Sequence, residues 1–198
     1  MKKFELTTEF ITNMFGKKLF RIKALVEFGN VKAGELGGYV EKEENVSQDG
    51  NAWVSGDARV YGDAEVSGDA RVSGNAEVSG NARVSGDARV YGDAEVYGDA
   101  WVSGNAWVYG NARVSGNARV SSDADYALVQ GFGTEFRCTT FYRGKNKKIM
   151  VNCGCFHGDL EGFRKQVKET RNGKIAKEYL MIADLMEYHF TSEDSSNE

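Results

Sequence analysis

The chain has 198 residues, 41% of them hydrophobic, with 24 glycines, no proline and a formal charge of -4. That length allows one main body with small caps, and so mild a charge argues against a nucleic-acid partner. No stretch approaches the ~20 apolar residues of a membrane span, MKKFELTTEF lacks the apolar run of a signal peptide, and three cysteines fit reduced thiols in a cytoplasm.

Residues 1–50 form an N-terminal cap and a first irregular coil. Their best strand candidate is Leu19–Phe28 (LFRIKALVEF), followed by a glycine-rich approach in which Val40 and Val46 already stand six apart. The next valine is Val54, so the first coil carries an insertion.

Residues 51–124 are copies of [ND]-A-x-V-[SY]-G. Alanine recurs every six residues thirteen times from Ala52 to Ala124, valine twelve times from Val54 to Val120, and glycine holds the corner until Ser122 replaces it. Alanine and valine two apart share one face of an extended segment, and the residue between them points outward. Glycine followed by Asp or Asn is turn chemistry. Short strand, corner, short strand, turning in one sense, makes a parallel β-helix, and its open ends need caps.

Residues 125–190 read as a small ββαα cap. Strands are expected over 136–143 and 148–156 around the turn GKNK, then one helix burying Leu160, Phe163 and Val167 and a second burying Leu180, Ala183, Leu185 and Met186. Asp159 and Glu161 fit the first turn of the first helix. The tail over 191–198 reads as disordered.

The period of six, with an aliphatic residue and a small one two before it, resembles the hexapeptide-repeat superfamily. The resemblance implies a mainly β fold, a left-handed parallel β-helix with three hexapeptides or 18 residues per coil, and a homotrimer. Together with RIKALVEFGNVKAGELGGYVEKEENVSQDGNAWV and NCGCFHGDLEGF, the repeats look like a group of phage and prophage hexapeptide proteins. That origin implies a protein working in the cytoplasm of a bacterial host.

Members of the superfamily that are acyltransferases use a histidine base at a subunit boundary, and its carbonic anhydrases use three histidines for a metal. General-base work near neutral pH suits histidine, yet the only two, His157 and His189, both lie in the C-terminal cap. No catalytic residue and no cofactor is therefore assigned, and a degraded acyltransferase is the third reading of function.

Cys138, Cys153, Cys155 and His157 are metal-ligand types. Positions 153 and 157 stand ~13 Å apart in a straight strand, so one tetrahedral ion would require a sharp fold at Gly154. Core thiols are the simpler reading, and a reactive cysteine is a further one.

With 18 residues per coil, outward residues stack in three columns ~4.8 Å apart. The first is Trp53, Arg71, Arg89 and Trp107, flanked by Ser55, Ser73, Tyr91 and Tyr109. The second is Arg59, Glu77, Glu95 and Arg113; the third is Glu65, Arg83, Trp101 and Arg119, flanked by serines. The whole net charge lies in the repeats, where many Asp are corner residues expected to bond locally in their turns.

The first column joins aromatic rings to two stacked arginines, the residue types that dominate interfaces. Three readings are open for Trp53, Arg71, Arg89, Tyr91, Trp107 and Tyr109: solvated surface with Asp69 and Asp87 neutralising the arginines, a subunit interface, or a site for an anionic or aromatic ligand. They lead to a non-enzymatic, trimeric binding protein that sequesters a small phosphorylated or nucleotide-like ligand or a host protein, as a phage antagonist of host defence would. The alternative from another class is a structural assembly or adhesion module.

Overall fold

The computed structural model describes residues 1–191 of the chain. Each repeat forms a two-residue strand and a corner. Strands β4 to β15 lie at Trp53–Val54, Arg59–Val60 and every sixth residue on to Arg119–Val120. They stack in register as three parallel sheets: Trp53 pairs with Arg71, Arg71 with Arg89, and Arg89 with Trp107, with equivalent pairing on the other two sides. The protein is thus a mainly β parallel solenoid with an 18-residue coil.

From Ala52 to Val120 the repeat alanines and valines are buried in the interior. The corner needs glycine for two reasons, seen at Gly86. Its φ is +68°, and a Cβ there would stand 3.0 Å from the Gly104 nitrogen one coil on. Only glycine holds that backbone without steric cost.

The paired strands are bonded in both directions, but the bonds made by the N–H groups of the outward residues all run one way along the stack. Each outward-strand N–H donates to a carbonyl of the following coil, as Trp53 N does to Ala70 O (3.0 Å), Arg71 N to Ala88 O (2.9 Å) and Arg89 N to Ala106 O (2.9 Å). At these positions the first coil presents orphan carbonyls and the last coil orphan N–H groups, which burial would make costly.

The N-terminal cap supplies donors. Strands β1 (Phe4–Thr12), β2 (Lys18–Ala24) and β3 (Leu36–Val40) form an antiparallel sheet that continues one solenoid side through β3 and β5. Lys3 Nζ donates to Ala52 O (3.0 Å) and Gly50 O (3.3 Å), and Asn45 Nδ2 to Ala64 O (2.8 Å) and Gly62 O (3.1 Å). Burial pushes the Lys3 ammonium down to about 8, against the pull of Asp49 and Asp69. The expected insertion is real: Val40 pairs with Val60 and Val46 with Val66, twenty residues on, whereas Val54 pairs with Val72, eighteen on. The strand expected over 19–28 ends at Ala24, and β1 had no counterpart in the sequence reading.

The C-terminal cap supplies acceptors. Asp123 Oδ1 accepts from Trp107 N (2.8 Å), Thr140 Oγ1 from Arg113 N (2.9 Å) and Asp125 Oδ2 from Ser121 N (2.8 Å). Ser121 and Ser122 hold the Asp125 carboxyl below its usual range against the opposing effect of burial, aided by Arg143 at 3.1 Å.

The cap itself has four strands, not the two expected: β16 (Tyr126–Val129), β17 (Thr139–Arg143), β18 (Ile149–Cys153) and β19 (Phe156–Asp159), all antiparallel in that order. Helices α1 (Leu160–Thr170) and α2 (Gly173–Thr191) follow. Asp159 caps α1, accepting from Gly162 N at 2.9 Å. Helix α1 buries Leu160, Phe163 and Val167 as expected, but α2 buries Tyr179, Ile182, Ala183, Met186 and Phe190 and leaves Leu185 exposed. The 179–182–183–186–190 stripe is the helical period; choosing Leu185 for its hydrophobicity placed it on the wrong side. Of the tail expected over 191–198, Thr191 closes α2 and the rest lies outside the described residues.

A thin, dry interior makes a sharp prediction. Val84→Asp puts a carboxylate where it has no partner, a cost of about 3–5 kcal/mol or more in a domain stabilised by about 5–15. Arg83→Asp changes the same strand on its exposed face and should cost about 1 kcal/mol or less. Circular-dichroism melting should show a lost or strongly lowered transition for the first variant and a near-native one for the second.

Candidate functional site

The three outward columns exist as paired rungs, but their side chains are used differently. In the first, Trp53 is 2% exposed. Phe4 and Phe28 pack edge-on against its ring at 6.3 and 5.4 Å, so it is a core residue under the N-terminal cap. This corrects its assignment to an open ligand or interface surface. The reason is β1 and the turn at Phe28–Val31, which cover the first coil and whose reach the repeat pattern did not contain. Arg71, half-buried, lies against the same cap: a Cβ on Gly29 would stand 3.1 Å from its Nη2.

The upper half of the column is open. Arg89 lies over the Trp107 ring at 4.8 Å. Tyr91 and Tyr109 stack at 5.5 Å with an 18° interplanar angle, and Trp107 meets Tyr91 edge-on at 6.4 Å. Trp107 is 40% and Tyr109 48% exposed. Tyr126 closes the cluster, edge-on to Tyr109 at 6.3 Å, and its burial pushes the phenol well above its ordinary range. Sequence reasoning missed Tyr126, although it stands at the valine register, eighteen residues after Val108.

Among the described residues Arg71 and Arg89 enter no ion pair, while Arg113 pairs with Glu95 (3.0 Å) and Arg83 with Glu65 (3.7 Å) on the other columns. Among the described residues neither Asp69 nor Asp87 comes within 4.0 Å of them as an ion pair. Asp69 accepts from Asn51 Nδ2, Asp93 from Asn75 Nδ2 and Asp99 from Asn81 Nδ2, each at 2.9 Å and each one coil away. The corner acids thus form ladders between coils in addition to turning the chain. On the third column Trp101 lies between Arg83 (5.4 Å) and Arg119 (4.5 Å), a sandwich the spacing placed together but to which no role was given.

The cysteine–histidine group is divided by its hairpin. The chain does fold sharply at Gly154, φ +61°. The register then pairs Asn152 with His157 and Cys153 with Phe156, which sends Cys153 and His157 to opposite faces. Thr139 donates to Cys153 Sγ at 3.1 Å, Cys138 and Cys153 are half-buried, and Cys155 is exposed, so it is not a core thiol. Burial pushes the Cys138 thiol up. His157 lies against the last glycine corner, its ring 3.3 Å from where a Gly116 Cβ would stand. No helix of the described residues is long and apolar enough to cross a membrane.

A family model described as the YdcK beta solenoid repeat matches residues 76–92, 82–98, 88–104 and 112–124. These matches lie within the solenoid, and the first three are offset by one repeat, so the chain is similar there to a β-solenoid. No curated protein matches it.

The two tryptophans at the ends of the first column should behave oppositely. Trp53→Ala should cost about 3–5 kcal/mol in urea unfolding, as an emptied aromatic core site does. Trp107→Ala gives up only an exposed cation–π and ring contact, about 1 kcal/mol or less.

Proposed function

We propose that this chain is a non-enzymatic binding protein, working as a homotrimer, whose surface for its partner is the open half of the first column. The observation that carries the reading is the ordered set of exposed Arg89, Trp107 and Tyr109 around half-buried Tyr91. Rings locked against one another lose little freedom on binding, and a guanidinium without a carboxylate partner is ready for an anion. A phosphorylated or nucleotide-like small molecule matches both halves, with its flat group on the tyrosines and tryptophan and its phosphate at Arg89. The boundary between copies would shield it from water. A host protein presenting an acidic, aromatic patch meets the same chemistry. In a phage or prophage setting, sequestering such a molecule inside the bacterial cytoplasm would antagonise host defence.

One observation favours an assembly module instead. The flanks run from Trp53 to Val120 with strands at every sixth residue and no loop excursion, which suits flat face-to-face packing.

Sedimentation and mass spectrometry of the denatured, purified protein separate the two. The binding reading expects a trimer that releases a stoichiometric small molecule. Arg89→Glu with Trp107→Ala should weaken its retention about thirtyfold or more, the loss of about 2 kcal/mol typical of a central aromatic or arginine contact. Arg59→Glu, on the second column, should not. A trimer releasing nothing favours assembly, and a monomer releasing nothing defeats both.

A further inference from the structure

The C-terminal cap meets only part of the solenoid end. Between the last coil and the cap lies a cleft of about 380 Å³, within the ~300–1,000 Å³ of small-molecule sites. Its charged lining side chains are both guanidiniums, Arg113 on the solenoid and Arg137 on the segment before β17, and no carboxylate lines it. Glu95 takes one nitrogen of Arg113 at 3.0 Å from outside the cleft, and Glu135 comes no nearer Arg137 than 3.9 Å.

The backbone adds to this positive end. Asn111 lines the cleft. Its N–H is the counterpart of the Asp93 N–H, which donates to Gly110 O at 2.9 Å. With no coil beyond it, Asn111 N has no such acceptor among the described residues. Asn152, buried, is held in the cleft wall by donating to Arg113 O (2.8 Å) and Ser115 Oγ (3.0 Å). At the rim a Cβ on Gly154 would come within 2.9 Å of Arg137 Nη1, so the bare turn is what lets that arginine lie where it does. Beside it Phe136 is 66% exposed and holds φ +48°, a backbone that bulky side chains avoid. The turn thereby presents a ring and a guanidinium together.

We infer that this cleft binds a small molecule bearing a phosphate or carboxylate and a planar group, the anion between Arg113, Arg137 and the Asn111 N–H and the plane against Phe136. The site is separate from the first-column surface: Arg113 belongs to the second column, and none of the first-column residues lines the cleft.

The full chain should be titrated calorimetrically with phenyl phosphate and with benzoate. Cys138 lines the cleft and offers a local reporter through its alkylation rate in a Cys153→Ser, Cys155→Ser background. At least one probe should bind saturably and slow Cys138 alkylation. Tighter phenyl phosphate assigns a phosphate ligand, and tighter benzoate a carboxylate. Arg137→Gln, at an exposed side chain, should keep the melting temperature and weaken binding about tenfold or more, while Arg89→Glu leaves it unchanged. The inference is overturned if neither probe saturates, if binding leaves Cys138 unprotected, if folded Arg137→Gln binds as the parent does, or if Arg89→Glu is the variant that loses binding.

Discussion

The direction of the hydrogen bonds made by the outward residues' N–H groups sets what the two ends of this molecule need. The outward residue of each rung donates its N–H forward, as Trp53 N to Ala70 O and Arg71 N to Ala88 O show, so at these positions the stack has two chemically different ends. Unpaired backbone groups at an end cost as much as lost hydrogen bonds, and an open sheet edge invites another chain. The caps answer each end in kind. Lys3 and Asn45 bring donors to the carbonyls of the first coil, and Asp123, Asp125 and Thr140 bring acceptors to the N–H groups of the last.

The same stacking restricts where function can be written. Interior positions hold alanine and valine, and the glycine corners approach so closely that Gly86 leaves no room for a Cβ. Only the residue between alanine and valine, and the Ser or Tyr after the valine, can vary freely. Residues eighteen apart in sequence become neighbours automatically, which is how Tyr91 and Tyr109 stack without any tertiary packing to bring them together. It also forces Arg71 beside Arg89, a repulsion of about 1 kcal/mol in water. The cation–π contact of Arg89 with Trp107 returns about 0.5–1 kcal/mol at an exposed site. The arginine pair is therefore tolerated by the free chain, and an anion is not required to explain its presence; what supports a binding surface is the exposed, ordered rings.

Much of this was legible in the sequence because the repeat states its own register. The six-residue period and the insertion before Val54 follow from spacing, the acid at Asp159 opening α1 from turn chemistry, and the 18-residue columns from the resemblance to hexapeptide proteins. What failed lies where the chain leaves the period. Trp53 obeys the repeat and would be an outward residue in a bare solenoid, but Phe4 and Phe28 come from segments whose path no periodicity describes. Hairpin β18–β19 separates Cys153 from His157 through a pairing register that ligand spacing cannot reveal. Tyr126 was missed for a different reason: it keeps the valine position but breaks the residue type, so a search for valine stops one rung early. The cleft residues Arg113 and Arg137 are 24 positions apart and share no motif; only the docking of the cap brings them together.

The polarity of the stack also decides which end suits an anion. At the first coil the orphan groups are carbonyls, and Lys3, with its ammonium lowered by burial, is already committed to Ala52 and Gly50; a phosphate arriving there would face acceptors. At the last coil the N–H groups of the outward and corner residues lack the next coil's carbonyls, the arrangement that makes a helix N-terminus attractive to phosphate. Cap side chains take those of Trp107, Arg113 and Ser121, while over the cleft, where the cap turns away, Asn111 N is left beside two guanidiniums. A cap that covered the end completely would satisfy every donor and leave no site. One that covered it less would expose the edge to other chains. The incomplete closure at Asn111 is a compromise between those demands, and it puts the positive end of the solenoid within reach of solvent where side chains can select what enters.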